Sequence, residues 1–247
     1  MRSEEILTAA LEQSAVDSNC SAADFNSVTN KVVISKPNDG ARKYLELPFL
    51  CDLTSYGSNI VASVSAEVFD IVSEYIGKYP IEQCFAPPAL DELMAALKPF
   101  GANRCYMSEY FLPVVDSFPV LSCKYETRFL TPTDFESLYL PEWSNALCKN
   151  RRQLDMLAVG AYDNGKLIAL AGCSADCDAM WQIGIDVLPE YRRQGIASAI
   201  TNLLAHETMK RGKIPFYCCA WANIKSAKNA LRSGFSPAWV QLTINKE

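Results

Sequence analysis

The chain has 247 residues, enough for one large domain or two modest ones. Hydrophobic residues make up 49% and charged residues 21%, a globular composition that excludes extensive disorder. No apolar run approaches the ~20 residues of a membrane span. Its 23 basic against 28 acidic side chains leave a net charge of −5, which excludes a dominant electrostatic hold on nucleic acid. The opening MRSEEILTAALEQ carries two glutamates where a signal peptide would start basic, so the expectation is a cytoplasmic protein with no membrane partner.

Ten cysteines are many, yet none forms a C-x-x-C pair and the chain has one histidine, His206. No metal site is expected, and the cysteines read as small, reduced, buried apolar residues. Any Ser-His-Asp or Cys-His site would have to use His206. That residue falls off the apolar stripe of its helix and is expected at a solvated surface.

In chain order, the stretch to about Asn30 reads as helix, with Ile6, Leu7, Ala10 and Leu11 at helical spacing and Ser21 placed to cap a short second helix. Residues 31–35 are β-rich and run into a Pro-Asn-Asp-Gly breaker. Residues 47–53 and 59–64 read as strands about a Ser55–Ser58 turn. Residues 66–76 put Val68, Ile71, Val72 and Tyr75 on one helical face, and a helix over 90–97 stops at Pro99. Residues 103–111 are a further strand candidate. The two-proline segment 112–124 has no clear period and is expected to be the linker between domains 1–124 and 125–247.

Beyond it, Tyr125–Phe129 suggests a strand, followed by one helix near Phe135 and a second after Pro141. Residues 157–162 and 166–175 are apolar runs joined by Asp163-Asn164-Gly165, a hairpin signal. Trp181–Val187 is a strand ended by Pro189. Ile196, Ala199, Ile200, Leu203 and Leu204 mark an amphipathic helix closed by Arg211 and Gly212. Ile214–Trp221 is a strand, Ser226–Leu231 a short helix, and Phe235–Leu242 a final strand. That order demands a mixed α/β sheet with helices on its faces.

The segment Val187-Leu188-Pro189-Glu190-Tyr191-Arg192-Arg193-Gln194-Gly195-Ile196-Ala197 carries the chemistry. A strand, a proline turn and a helix start with small residues at Gly195 and Ala197 leave backbone amides open to an anion, and Arg192 and Arg193 add charge. Neither G-x-G-x-x-G nor G-x-x-x-x-G-K-[ST] occurs, which points to a pyrophosphate carried by neither a dinucleotide nor a nucleoside triphosphate.

Here the sequence resembles the GNAT superfamily of acetyl-CoA-dependent N-acyltransferases. Val187, Pro189, Arg192, Gly195 and Ala197 match its V-x-P strand end and [RQ]-x-x-G-x-[GA] signature. Asn223, then Ser226, then Gly234-Phe235 match its next landmark. The resemblance covers about residues 125–242 and implies a GNAT-like mixed sheet flanked by helices. Residues 1–124 are expected to form a smaller α/β domain, open to being a degenerate copy of the same fold, that contributes to the acceptor site.

The resemblance implies acetyl-CoA as cofactor. Its pyrophosphate would be held by the turn and first helical turn Arg192, Arg193, Gln194, Gly195, Ile196, Ala197 and Ser198, its pantetheine by the backbone of Ile185, Asp186 and Val187, with Asn223 and Ser226 beside it. It further implies direct transfer to an amine acceptor, a small molecule or a peptide. Two positions depart from the family: Cys218 stands where many members have a glutamate, and Ala230 where many have a tyrosine acid. Tyr217, Glu142 and Asp176 are the remaining candidates for catalytic acid or base. The competing reading is a non-catalytic acyl-CoA-binding or protein-interaction module.

Overall fold

The computed structural model describes residues 2–246. They fall into two compact units, one made of residues 2–7 with Phe111–Pro237, the other of Thr8–Tyr110 with residues 238–246. The elements run in chain order as α1 (Ser3–Ser18), β1 (Lys31–Ile34), β2 (Cys51–Ser55), β3 (Val61–Val64), α2 (Phe69–Lys78), α3 (Ile81–Cys84), α4 (Ala89–Leu97) and β4 (Ala102–Pro113). They continue as β5 (Glu126–Leu130), β6 (Asp155–Asp163), β7 (Lys166–Ser174), β8 (Met180–Val187), α5 (Ile196–Lys210), β9 (Ile214–Ala220), α6 (Ile224–Arg232) and β10 (Phe235–Lys246).

In the unit built around Thr8–Tyr110, β1 lies parallel to β3, β3 antiparallel to β2, and β2 antiparallel to the end of β10, with Leu53 opposite Leu242 and Cys51 opposite Ile244. Leu53, Val64, Val72, Leu93 and Leu97 bury against Leu242 and Ile244. Ser21 caps a 3-10 turn, Ala22–Asn26, through a capping box with Asp24. A buried ion pair joins Asp17 Oδ2 to Arg42 Nη1 at 2.7 Å, with the Arg42 guanidinium over Trp239.

In the other unit, β5, β6, β7 and β8 are antiparallel neighbours and β9 is parallel to β8, a mixed sheet. The β6–β7 hairpin turns at Asn164 (φ 48°) and Gly165 (φ 83°), the left-handed pair its dipeptide demands. Helix α5 lays Ile196, Ile200, Leu204 and Ala205 on Leu157, Val159, Ala169, Ala171 and Ile183.

Two sequence expectations are corrected in this unit. The helices expected near Phe135 and after Pro141 are single 3-10 turns, Pro132–Asp134, Glu136–Leu138 and Pro141–Trp143, with a longer kinked stretch at Lys149–Leu154. Trp143, Ala146 and Leu147 have helical spacing for one turn only, and one turn does not repay helix nucleation. Their burial on the sheet face holds the segment instead. His206 is not a solvated surface residue: it is half-buried, its Nε2 lies 2.8 Å from Pro119 O, and Phe118 packs edge-on at 4.9 Å. Asn202 also accepts from Leu121 N and donates to Pro119 O. The segment expected as linker is thus bound to α5, and residue 124 falls inside this unit. Among the described residues no helix is long and apolar enough to cross a membrane.

Candidate active site

Strand β8 pairs with β7 along Gln182–Val187, but with β9 only as far as Ile183 opposite Tyr217. Beyond that pair the ladder between the two parallel strands ends, so Gly184–Val187 and Cys218–Ala220 are not paired with each other, an opening in the ladder. Alternation assigns the faces. Trp181, Ile183, Ile185 and Val187 turn toward α5 with Tyr217 and Cys219. Gln182, Gly184, Asp186 and Cys218 take the opposite face, where Gln182 Nε2 lies 3.0 Å from Cys218 Sγ.

At the far end of β8, Pro189 ends the strand and the chain turns into α5. Arg192 Nε donates to Val187 O at 2.9 Å, tying the turn to the strand end. Arg193 (φ 61°) and Gly195 (φ 79°) are left-handed, and Gly195 is the N-cap of α5. Apart from its own neighbours in the chain, nothing lies within 4 Å of where a Gly195 Cβ would stand. Glycine therefore serves the backbone angle and keeps the space before the helix clear. Arg192, Arg193, Gln194 and Gly195 are exposed, Ile196 is buried and Ala197 half-buried. The amides of a first helical turn have no intrahelical acceptor, and the helix dipole adds positive potential, so this end suits a pyrophosphate.

The other expected cofactor residues are engaged within the fold. Ser198 is buried and its hydroxyl donates to Asn229 Oδ1 at 3.0 Å, joining α5 to α6. Gln194 Oε1 accepts from the Tyr125 hydroxyl at 2.9 Å. Asn223 is the N-cap of α6, accepting from Ser226 N at 3.2 Å. The Ser226 hydroxyl lies 2.8 Å from the Tyr217 phenol. Asn223, Ser226 and Tyr217 are thus brought together where β9 leaves β8. The Tyr217 ring is enclosed by Phe111 and Phe235. Burial, the largest cause, raises its phenol above the ordinary tyrosine value, opposed by hydrogen bonds from Ser226 and Asn229.

The three catalytic candidates are not brought to one point. Asp176 is fully buried in an ion pair with Arg151, ahead of Met180 at the opposite end of β8 from Val187. Eight residues of extended strand separate those ends by roughly 23 Å. Beside it Asp155 accepts from Cys148 N and the Tyr139 hydroxyl, and burial pushes its carboxyl up to about 6. Glu142 is exposed at the start of the segment that crosses β7 and β8. Ala230 is wholly buried among Ile200, Tyr217 and Phe235, so its position offers no acid.

Asp186 has a role the sequence did not suggest. Its carboxylate accepts from Asn145 N (2.8 Å), Asn145 Nδ2 (2.6 Å) and Ala146 N (3.0 Å). Glycines at strand positions 172 and 184 were the available signal, since a bare Cα within a strand marks close backbone approach. Among the described residues no group of His, Cys, Asp or Glu is arranged to hold a metal ion.

Compared with known proteins, residues 120–238 match the family model for GNAT acetyltransferases. No curated protein sequence matches the chain. Solved structures similar to it include a GNAT-family acetyltransferase from Colwellia psychrerythraea, at 16% identity and TM-score 0.46, covering 65% of this chain and 63% of that one. A GCN5-related N-acetyltransferase-like protein from Streptococcus suis has 20% identity and TM-score 0.46, with coverages of 64% and 68%. A GCN5-related N-acetyltransferase from Sphaerobacter thermophilus has 11% identity and TM-score 0.48, with coverages of 76% and 73%. The chain thus spans about two thirds of the length of such relatives.

Proposed function

Residues 120–238 belong to the GNAT superfamily, and from that premise we propose that the protein transfers the acetyl group of acetyl-CoA directly to an amine, carried by a small molecule or a peptide. The observation that carries this reading is the opening beyond Ile183 and Tyr217, closed at its far end by the glycine-led start of α5. The amides from Gly195 to Ser198, with Arg192 and Arg193, suit the pyrophosphate. The unpaired side of Gly184–Val187 suits the amides of the pantetheine arm, as a further strand would.

Bound there, acetyl-CoA supplies an acyl group already activated as a thioester. The β8 backbone N–H groups polarise its carbonyl, a fixed-donor stabilisation of the oxyanion. The neutral amine attacks, a C–N bond forms, the C–S bond breaks, and the thiolate leaves with the electron pair. Glu142, through water, is the carboxylate we assign to take the amine proton. A tyrosine phenol is protonated at neutral pH and burial raises that of Tyr217 further, so it carries the proton that a donor to the departing thiolate needs.

Gly195→Glu tests the cofactor site. A carboxylate in the clear space before α5 opposes a phosphate sterically and electrostatically, so calorimetry is expected to show coenzyme A affinity down at least about tenfold. A folded variant with unchanged affinity would remove the basis of the assignment.

A second reading is favoured by specific observations. Ala230 is buried, Cys218 carries no carboxylate, and Asp176 is bound by Arg151 far from the opening. A chain lacking the usual acid and base fits an acyl-CoA-binding module without turnover. Thiol release from acetyl-CoA over a broad panel of amines separates the two: binding with no release on any amine supports the module.

A further inference from the structure

We propose that the segment Trp143–Ala146, locked onto the sheet by Asp186, limits the length of the acyl group this chain accepts; the proposal rests on the acyl-CoA reading above and deepens it. Gly172 and Gly184 are cross-strand partners on β7 and β8. A Cβ on Gly172 would stand 2.0 Å from Ala146 O, and one on Gly184 1.8 Å from Asn145 O. The segment's backbone therefore rests directly on the bare strands, at the first β8 residue beyond the last β9 pair.

Two residues further along the same face, Asp186 gathers two successive backbone N–H groups and the Asn145 side-chain amide on one carboxylate. Charge-assisted bonds of this kind are among the stronger ones, and three together fix both position and orientation. Behind them Trp143, Ala146 and Leu147 bury against Ala158 and Leu170. The segment is thus held to one sheet face at two places, by Asp186 and by the apolar contacts to Ala158 and Leu170.

An acyl group on a thioester held along Gly184–Val187 has one direction in which to extend. The face toward α5 is filled by Ile183, Tyr217, Ile200 and Ala230, each 2% exposed or less. On the opposite face the opening is bordered by half-buried Gln182 and Cys218. There the growing chain meets the Asn145–Ala146 backbone, which cannot yield by a side-chain rotation. A two-carbon acyl group stops short of it, whereas a six-carbon one must displace it. Asp186 is thus a positioning residue whose effect reaches the ligand through Asn145 and Ala146.

Titration calorimetry with coenzyme A, acetyl-CoA and hexanoyl-CoA, on the wild type, D186A, D186N and Asn145→Ala, tests this. The wild type is expected to bind hexanoyl-CoA at least about tenfold more weakly than acetyl-CoA. In D186A and D186N that ratio, each acyl-CoA being read against the same variant's own coenzyme A affinity, is expected to fall to about threefold or less, a selectivity change that general destabilisation would not produce. Asn145→Ala removes only the exposed side-chain bond, keeps the fold, and is expected to move the ratio the same way by less. Amide hydrogen exchange at Asn145 and Ala146 is read in parallel and is expected to speed up in D186A and D186N.

Equal wild-type affinity for the two acyl-CoAs overturns the proposal. So does an unchanged ratio in variants whose Asn145 and Ala146 amides exchange faster, or unchanged exchange in D186A and D186N. If those two variants fail to fold, an unchanged ratio in Asn145→Ala overturns it. Failure of the wild type to bind coenzyme A at all is a different result: it takes down the cofactor reading, and the acyl-length proposal with it.

Discussion

Asp52 shows how a single buried residue ties stability to pH. It is 1% exposed and accepts from Gln241 Nε2 (2.8 Å), Thr243 Oγ1 (2.6 Å) and Thr54 Oγ1 (3.1 Å), all neutral donors. Burial, the largest cause, outweighs those bonds and raises its carboxyl from 3.8 to about 6. An acid raised on folding favours its protonated form in the native state. Its contribution is full below about pH 3.8, is lost as pH rises through about 6, and amounts to on the order of 3 kcal/mol. Asp52→Asn keeps an acceptor for Gln241 and Thr243 and never ionises. Urea midpoints are expected to coincide for variant and wild type near pH 4 and to favour the variant at pH 8; a difference that does not change with pH would sink the idea. Cys218 is a second case at this scale. Gln182 Nε2 lies 3.0 Å from its thiol, and His206, the base a Cys-His site would need, is engaged with Pro119 O. Cys218→Ala is expected to retain most activity, and an acetylated Cys218 peptide in mass spectrometry together with ping-pong kinetics would argue the reverse.

Among the elements, the segment from Val114 to Lys124 has no regular pattern, and contacts made by its neighbours order it. Asn202 and His206 on α5 hold Pro119 and Leu121, and Val114 N donates to Gly234 O. Gly234 ends α6 at φ 98°, and a Cβ there would stand 2.5 Å from Pro119 and 2.8 Å from the Phe118 ring. Gly234→Ala would therefore strain the backbone and push on the same segment that α5 holds. We expect it to cost about 2 kcal/mol or more, read as a lower unfolding midpoint. A midpoint within error of wild type would mean that the Phe118–Pro119 turn yields without resistance. The Gly-Phe pair thus has a packing reason to exist apart from any ligand.

For the whole molecule, sequence order and spatial order part company at the C-terminus. The unit around Thr8–Tyr110 is completed by residues 238–246, whose Leu242 and Ile244 are wholly buried and whose Trp239 stacks on Tyr56 and Tyr110. Each large-to-small loss of that kind costs about 2–5 kcal/mol, and three together approach the full stability of a typical domain. Deletion after Pro237 is therefore expected to unfold the unit more than a hundred residues upstream in sequence. Circular dichroism and proteolysis would show protected Thr8–Tyr110 peptides if that expectation fails. A fragment of residues 120–247 carries the converse defect, since it exposes Trp239, Leu242 and Ile244, and is expected to be poorly soluble.

What the sequence determined alone was local and periodic. The Asn164-Gly165 hairpin, the α5 stripe and the strand-to-helix signature ending at Gly195 are written in residues close together in the chain, where backbone preference and side-chain period act directly. Only the tertiary structure decided the rest. A single turn of helical spacing at Trp143–Leu147 became 3-10 structure because sheet packing, and not helix propagation, stabilises it. Tyr217 was brought to Ser226 and Asp176 kept from the opening because strand pairing, invisible in the local pattern, sets which strand ends meet. Asp186 reads in sequence as one more polar residue at a strand end. Its three donors come from residues about forty positions earlier, and no local pattern reports a hydrogen bond made across that distance.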